Sequence, residues 1–421
     1  MVPRIGYACQ NLDVEHYQMK TCRLSSLTPE RLMALIAENL QAMQEITFYN
    51  EAHQIQLFRI SSSLIPFGSS EHNQLAWRTI FEPQFAAIRQ QLAANHVRIS
   101  CHPGQYTILN SPNPDVVQRS LAELEYHADL LEAFGGTRAS KMILHVGGIY
   151  ESKAAAKKRF QDIYRTMVSD RVKQHLVIEH DDRLYDIEDV LEISDKTGIP
   201  VVFDTLHHAI NGPAAKSPAA YIKLAKDTWK AEDGIPKIHY SQQETGKRSG
   251  SHSTTIDTQE FLQYYQTIAS QQVDIMLEVK DKNRSAVKVS QLLYPNQKIL
   301  RQEWLRYRFD VIARNGETAR ELQSWFDANQ PINAMLFYQR IDDCLKQQAD
   351  HRQTLAALQA IWDEIAAFSS AKEQESYLQL SNCEVYDQRL FSFLRRLANK
   401  YKVKEVTESY FFHSILPDIE T

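Results

Sequence analysis

The first 290 residues alternate between two patterns of apolar and polar positions. Short runs that are apolar at consecutive positions recur as "RIGYA" from Arg4, "QLFRISS" from Gln56, "VRISCHP" from Val97 and "KMILHVGG" from Lys141. They continue as "LVIEHD" from Leu176, "VVFDT" from Val201, "KIHYS" from Lys237 and "DIMLEVK" from Asp274. Runs of this length, rich in β-branched residues, predict strands buried on both faces. Between them lie stretches with helical spacing, such as "TPERLMALIAENLQAMQEI" and "DVVQRSLAELEYHADLLEAFGG". The first opens with Thr28 and Pro29 in N-cap and N1 order, and the second closes on glycines.

Eight strand–helix units predict an α/β fold, a closed (β/α)8 TIM barrel over residues 1–295. A doubly wound open sheet is the rival, but no G-x-G-x-x-G follows the first strand. After about Tyr294-Pro295 the pattern changes. "NQKILRQEWLRYRFDVIARNGETARELQSWFDANQ" and "QTLAALQAIWDEIAAFSS" have helical spacing, so residues 296–421 are expected to form an all-helical C-terminal extension of mixed charge.

Composition narrows the class only a little. The 421 residues are 43% hydrophobic and 24% charged, ordinary for a soluble globular protein. A formal charge of −5 excludes a histone-like mode of nucleic-acid binding, although a local basic rim would still hold phosphates. Five scattered cysteines without a C-x-x-C fit a reducing cytosol. The N-terminus lacks an apolar signal region and no stretch has the length of a membrane span, so a cytoplasmic protein without membrane contact is expected.

The strand ends change the picture more. In a βα barrel the C-terminal ends of the strands converge on one mouth, where barrel enzymes place their chemistry. Those ends carry His102, His145, Glu179, Asp204 with His207, His239 and Glu278, and His252 lies in the loop after the seventh strand. Imidazoles and carboxylates are the ligands of borderline and hard divalent ions. Eight such groups are too many for one tetrahedral site and suit a cluster of two or three ions. A lone strand-end His is ordinarily a loop or core residue, and a lone Asp or Glu a helix cap. Against that plainer reading stands convergence, because six separate strands make the same choice. His180 and Glu179 are neighbours on a strand and face opposite ways, and Glu179 is taken as the ligand. Of His207 and His208, His207 is preferred. His16, His53, His72, His96, His127, His175, His351 and His413 lack a strand-end position and are read as surface residues.

These stretches together carry a resemblance. "GYACQN", "RISSSLIPFGS", "SCHPGQYTILNSPNP", "ILHVGG", "VIEHDD", "FDTLHH", "KIHYSQQETGKRSGSHS" and "LEVKDKN" resemble, in order, the UV damage endonuclease family. Its members are barrels related to endonuclease IV. The resemblance implies incision of double-stranded DNA 5′ to ultraviolet photoproducts, cyclobutane dimers and 6-4 photoproducts. It implies hydrolysis by metal-activated hydroxide, leaving a 3′-hydroxyl and a 5′-phosphate, with manganese the first choice of ion and zinc, cobalt or magnesium as alternatives. It makes His102, His145, Glu179, Asp204, His207, His239, His252 and Glu278 the ligands, with Glu179, Glu278, Lys237 and His239 in the catalytic set. It also implies that Lys237, on the same strand face as His239, is carboxylated. Gln105 and Tyr106 in "HPGQY" become a wedge that enters the duplex, and Tyr7 and Asn11 become further lesion contacts. Phosphate contacts are expected from Lys153, Lys157, Lys158, Arg159, Lys247 and Arg248. A monomer, associated with the nucleoid when bound to DNA, is the plain expectation.

Two other classes compete. Metal-dependent sugar isomerases and epimerases also gather His, Asp and Glu in a barrel mouth, but they need a small enclosed pocket. A barrel retained only as a scaffold for a binding module in the tail should have lost part of the ligand set.

Overall fold

The computed structural model describes residues 3–14, 18–328, 330–382 and 388–414. Eight parallel strands close into a barrel in sequence order. They are β1 (Ile5–Ala8), β2 (Leu57–Ile60), β3 (Arg98–Cys101), β4 (Lys141–His145), β5 (Leu176–Glu179), β6 (Val201–Asp204), β7 (Lys237–Tyr240) and β8 (Asp274–Leu277). β8 pairs with β1, which completes the ring. Each strand lies within one of the eight apolar runs of the sequence. The helix Pro29–Ala52 starts where Thr28 predicts, with the Thr28 side chain accepting the Arg31 N–H at 3.2 Å. The helix Pro114–Ala133 is capped in the same way by Asn113.

Register decides what meets at the mouth. His145 on β4 pairs with Glu179 on β5, and Asp204 on β6 pairs with His239 on β7. Residues two apart on a strand share a face, so the barrel interior is layered. Ile143, Val177 and Val202 form an apolar layer two residues below His145, Glu179 and Asp204. Leu57, Ala8 and Met276 form a second apolar cluster. At the opposite end, the N-terminal floor, Arg98 on β3 reaches Asp274 on β8 at 2.9 Å, and Lys141 on β4 reaches Asp233 at 2.7 Å. Both cations lie over the Trp229 ring.

The chain divides into two compact units, residues 1–256 with 260–289, and residues 257–259 with 290–421. The second is helical, with no strand among its described residues. The long helical stretch of the sequence is two helices, Gln297–Arg314 and Gly316–Asp327, broken at Asn315. That residue closes the first helix and caps the second by accepting the N–H groups of Glu317 and Thr318. Two apolar cores form here, one around Trp304, Phe337 and Ile341 and the other around Phe309, Leu358 and Leu394. Among the described residues no helix is long and apolar enough to cross a membrane.

Candidate metal centre at the barrel mouth

Seven side chains from the strand ends converge. Ligand-type atoms of His102, His145 and Glu179 lie within 4.8 Å of one another, as do those of Glu179, Asp204 and His207, and those of Asp204, His239 and Glu278. The three groups share Glu179 and Asp204, so they form one connected chamber. Glu179 is its centre. One carboxylate oxygen sits 2.6 Å from His239 Nδ1, and the other is 3.5 Å from both His102 Nε2 and His145 Nε2. Glu278 lies 3.1 Å from His239 Nδ1.

Supporting contacts orient these groups. His102 Nδ1 faces the Pro103 carbonyl at 3.0 Å, and His207 Nδ1 faces the His180 carbonyl at 2.9 Å. With Nδ1–H donating in each case, Nε2 is the lone-pair atom of the neutral imidazole. Asp204 caps the short helix Thr205–Asn211 by accepting the His207 N–H at 2.7 Å. The Asp204 N–H in turn donates to His180 Nε2 at 3.0 Å. His180 thus holds both Asp204 and His207 from behind, while His208 packs against Phe203 and Tyr221. Gly147, two residues past His145, has φ of +109° and approaches Asn110 so closely that a Cβ would lie 2.5 Å from its Oδ1.

Burial and mutual contact shift the chamber's titrating groups strongly. Burial raises the Asp204 carboxyl, and Glu179 and Glu278 add to the effect against the pull of His207. For Glu179, burial is outweighed by the imidazoles of His239, His102 and His145, and its carboxyl falls well below the usual range. Burial works against the charged form of His207, but the carboxylates of Asp204, Glu179 and Glu278 together outweigh it and raise the imidazole to about 9. Burial lowers His145 to about 4. Several buried polar atoms have no hydrogen-bond partner among the described residues: Asp204 Oδ2, His145 Nδ1, His239 Nε2 and Lys237 Nζ. Such atoms are rare in folded proteins, and these four sit in or beside the chamber. Carboxylate and imidazole are also the donor chemistry that manganese or zinc accepts. The residues present therefore fit a divalent cluster.

Other expected residues fall elsewhere. His252 belongs to none of the three groups; it pairs with Gln243 across the loop after β7. Lys237 is 2% exposed inside the barrel, where burial and the nearby Arg98 and Arg59 pull its amine down to about 7. Tyr106 is 66% exposed and Gln105 is exposed beside it. The Tyr106 ring folds over Gly104 and its hydroxyl points to Glu123 at 3.4 Å. Tyr7 and Asn11 depart from expectation. Both are wholly buried, Asn11 donates to the Tyr7 hydroxyl, and that hydroxyl donates to Asn50 of the helix Pro29–Ala52. In this arrangement neither presents a surface to a lesion.

The basic helix departs too. Lys153 and Lys157 pair with Asp189 at 2.7 and 3.0 Å, Lys158 with Asp162 at 3.0 Å and Arg159 with Glu151 at 2.9 Å. Lys247 and Arg248, exposed on the loop after β7, have no ion pair among the described residues. Three histidines read as surface residues are buried: His53, His127 and His175, each with Nδ1 on a backbone carbonyl. His16 and the His413 side chain lie outside the described residues.

Two supporting roles escaped the sequence reading. One is that of His180. The other is that of Arg59 on β2, which forms an ion pair with Glu278 inside the barrel. An arginine in the apolar run "LFRIS" was the available signal, because a buried guanidinium requires an anion.

Residues 3–307 match the family described as UV-endonuclease UvdE. A UV DNA damage endonuclease of Clostridium perfringens is 33% identical over 414 residues, covering 97% of this chain and 99% of that protein. A putative UV-damage endonuclease of Acanthamoeba polyphaga mimivirus is 33% identical over 300 residues, covering 68% of this chain and 90% of the viral one. Among solved structures, SacUVDE superposes with a TM-score of 0.66 at 39% identity, covering 70% of this chain and all of that one.

Proposed function

The chain belongs to the UV-endonuclease UvdE family, and from that premise we propose that it cuts DNA on the 5′ side of ultraviolet photoproducts, leaving a 3′-hydroxyl and a 5′-phosphate. Membership makes it a DNA repair endonuclease and sets aside the sugar isomerase reading. The observation that carries the finer proposal is the convergence of seven ligand-type side chains on one mouth, with buried atoms there left unpartnered.

In this reading His102, His145, Glu179, Asp204, His207, His239 and Glu278 hold two or three divalent ions, manganese as first choice. When bound, such a cluster supplies charge neutralisation at phosphorus, a water of lowered pKa and a counter-charge for the departing 3′ oxygen. The chain's own residues do the rest. Glu179 and Glu278 balance the cationic charge, and Arg59 fixes the Glu278 carboxylate. His180 sets the orientation of Asp204 and His207. Lys237, with a buried and unpartnered amine beside these groups, is the proposed site of carboxylation. Gln105 and Tyr106 protrude next to His102 and fill the space left by an extruded base dimer, which stacks badly and costs less to flip than normal bases. Lys247 and Arg248 hold phosphates.

The test uses supercoiled plasmid, irradiated or not, with manganese. Nicking confined to irradiated DNA, stopped by a chelator and leaving ends that a polymerase extends, is expected. Equal nicking of both plasmids, or nicking that survives chelation, would contradict the reading.

A further inference from the structure

The helical unit contains a segment whose surface chemistry differs from that of the rest of the chain. From Gln388 to Lys404 the sequence holds six cations, Arg389, Arg395, Arg396, Lys400, Lys402 and Lys404, and no carboxylate. The helix Gln388–Tyr401 turns Leu390, Phe391, Leu394 and Leu397 into the core of its own unit. Its opposite face is exposed and offers hydrogen-bond donors throughout: Arg389, Ser392, Arg395, Arg396, Asn399 and Lys400. Two grooves, of about 460 and 570 Å3, run along this stripe, and Ser392 and Arg396 line both.

A solvated helix face normally mixes signs, so that charges four apart attract. Other helices of this chain do so, with Lys158 at 3.0 Å from Asp162 and Lys223 at 2.7 Å from Asp227. Here the same spacing sets Arg396 against Lys400, a like-charge pair that works against the helix. Lys400 is drawn off to Glu373 at 2.8 Å, and Arg396 lies over the Phe393 ring. Arg395 and Lys402 have no ion pair among the described residues. A stripe of guanidinium, hydroxyl and amide donors is the chemistry that contacts a DNA backbone, where most protein hydrogen bonds go to phosphate and sugar. A chain of net charge −5 meets DNA only through such local surfaces.

We propose that this face of the helical unit is a second DNA-binding surface, which holds the phosphate backbone of duplex DNA without reading sequence or lesion. The proposal rests on the reading of the chain as a DNA endonuclease. DNA is favoured over an acidic protein because it is the family's substrate and because it presents a regular row of charges to a straight stripe.

The experiment compares the full-length chain with Arg395→Gln/Arg396→Gln and with a control of equal charge change, Lys196→Gln/Lys223→Gln, whose cations already sit in ion pairs. Glutamine keeps helix propensity at these exposed positions, and far-ultraviolet circular dichroism checks the fold. Fluorescence anisotropy reads binding to a labelled duplex without a lesion across about 50 to 200 mM salt. The expected result is a slope of log K against log salt that falls by about 1.8, at about 0.9 for each phosphate that is no longer neutralised. The control should keep the wild-type slope. An unchanged slope in a preparation whose wild type nicks irradiated plasmid overturns this proposal alone and leaves the face to an acidic protein. Equal decreases in variant and control reduce the effect to net charge and also overturn it. A wild type that fails to nick irradiated plasmid removes the endonuclease reading instead.

Discussion

Both ends of the barrel bury charge, and they handle it in opposite ways. At the floor, Arg98 bonds Asp274 and the Ala139 and Ile235 carbonyls, while Lys141 bonds Asp233 and the Gln174 carbonyl. Among the described residues none of these charged groups leaves a buried atom without a partner. At the mouth, Asp204 Oδ2, His145 Nδ1, His239 Nε2 and Lys237 Nζ are all unpartnered. Leaving a polar atom buried and unsatisfied costs about 1–3 kcal/mol. Several lie in one chamber, and the strands β3, β4 and β8 run from one regime to the other within five residues. The floor pairs its charges within the protein, and the mouth gathers groups that could hold a metal ion.

The strongest way to break this comparison is at the mouth. Glu179→Gln or Glu278→Gln should lower nicking of irradiated plasmid by at least about 10³-fold, since each decade of rate corresponds to about 1.4 kcal/mol and several such increments depend on the cluster. Circular dichroism and thermal melting should show an intact fold. Activity within a few-fold of wild type would take that residue out of the site. The floor should behave conversely. Asp274→Ala strands the buried guanidinium of Arg98 and should cost about 3–5 kcal/mol of stability, read by urea unfolding. The fraction that remains folded should cut irradiated DNA at the wild-type rate. A loss of activity without a loss of stability would show that the two ends are not separate in role.

A smaller effect sharpens the mouth into chemistry and recognition. An aromatic ring stacked on a base contributes about 1–3 kcal/mol, so Tyr106→Ala should weaken binding to photodamaged duplex about tenfold to a hundredfold. Metal content should stay at the wild-type level, whereas His102→Ala should lose metal. Undiminished lesion preference in Tyr106→Ala would return that residue to loop packing.

The smallest effect is a proton. His207 is held at about 9 in the metal-free chain, above its ordinary 6.5. Its charged form therefore stabilises the metal-free fold fully below pH 6.5, and that contribution fades as pH rises through 9. A ligand imidazole must be neutral. Metal should therefore bind more tightly as pH rises over that interval, and loading at pH 7 should release a proton, measured by calorimetry in buffers of different ionisation heat. Binding without proton release would remove His207 from the ligand set.

The fold was legible because eight apolar runs alternate with amphipathic helical stretches, a pattern that neighbouring residues suffice to set. The mouth was legible for the same reason, since its groups sit at the ends of those runs. What lay hidden depends on partners distant in sequence. The acids that occupy Lys153 and Lys157, Asp189 and Glu192, come from another helix. Asn50, which draws Tyr7 inward, lies 43 positions away. His127 carried a readable sign, since Glu123, Leu124, Leu130 and Leu131 surround it on the buried face of its helix. Arg59 and His180 act only through groups that the strands bring to them.

Crystals of the full chain loaded with manganese, measured for anomalous scattering at the manganese edge, test the central claim most directly. Two or three peaks enclosed by His102, His145, Glu179, Asp204, His207, His239 and Glu278 are the predicted result. Crystals from a preparation that nicks irradiated DNA, yet with no peak among those side chains, would contradict it.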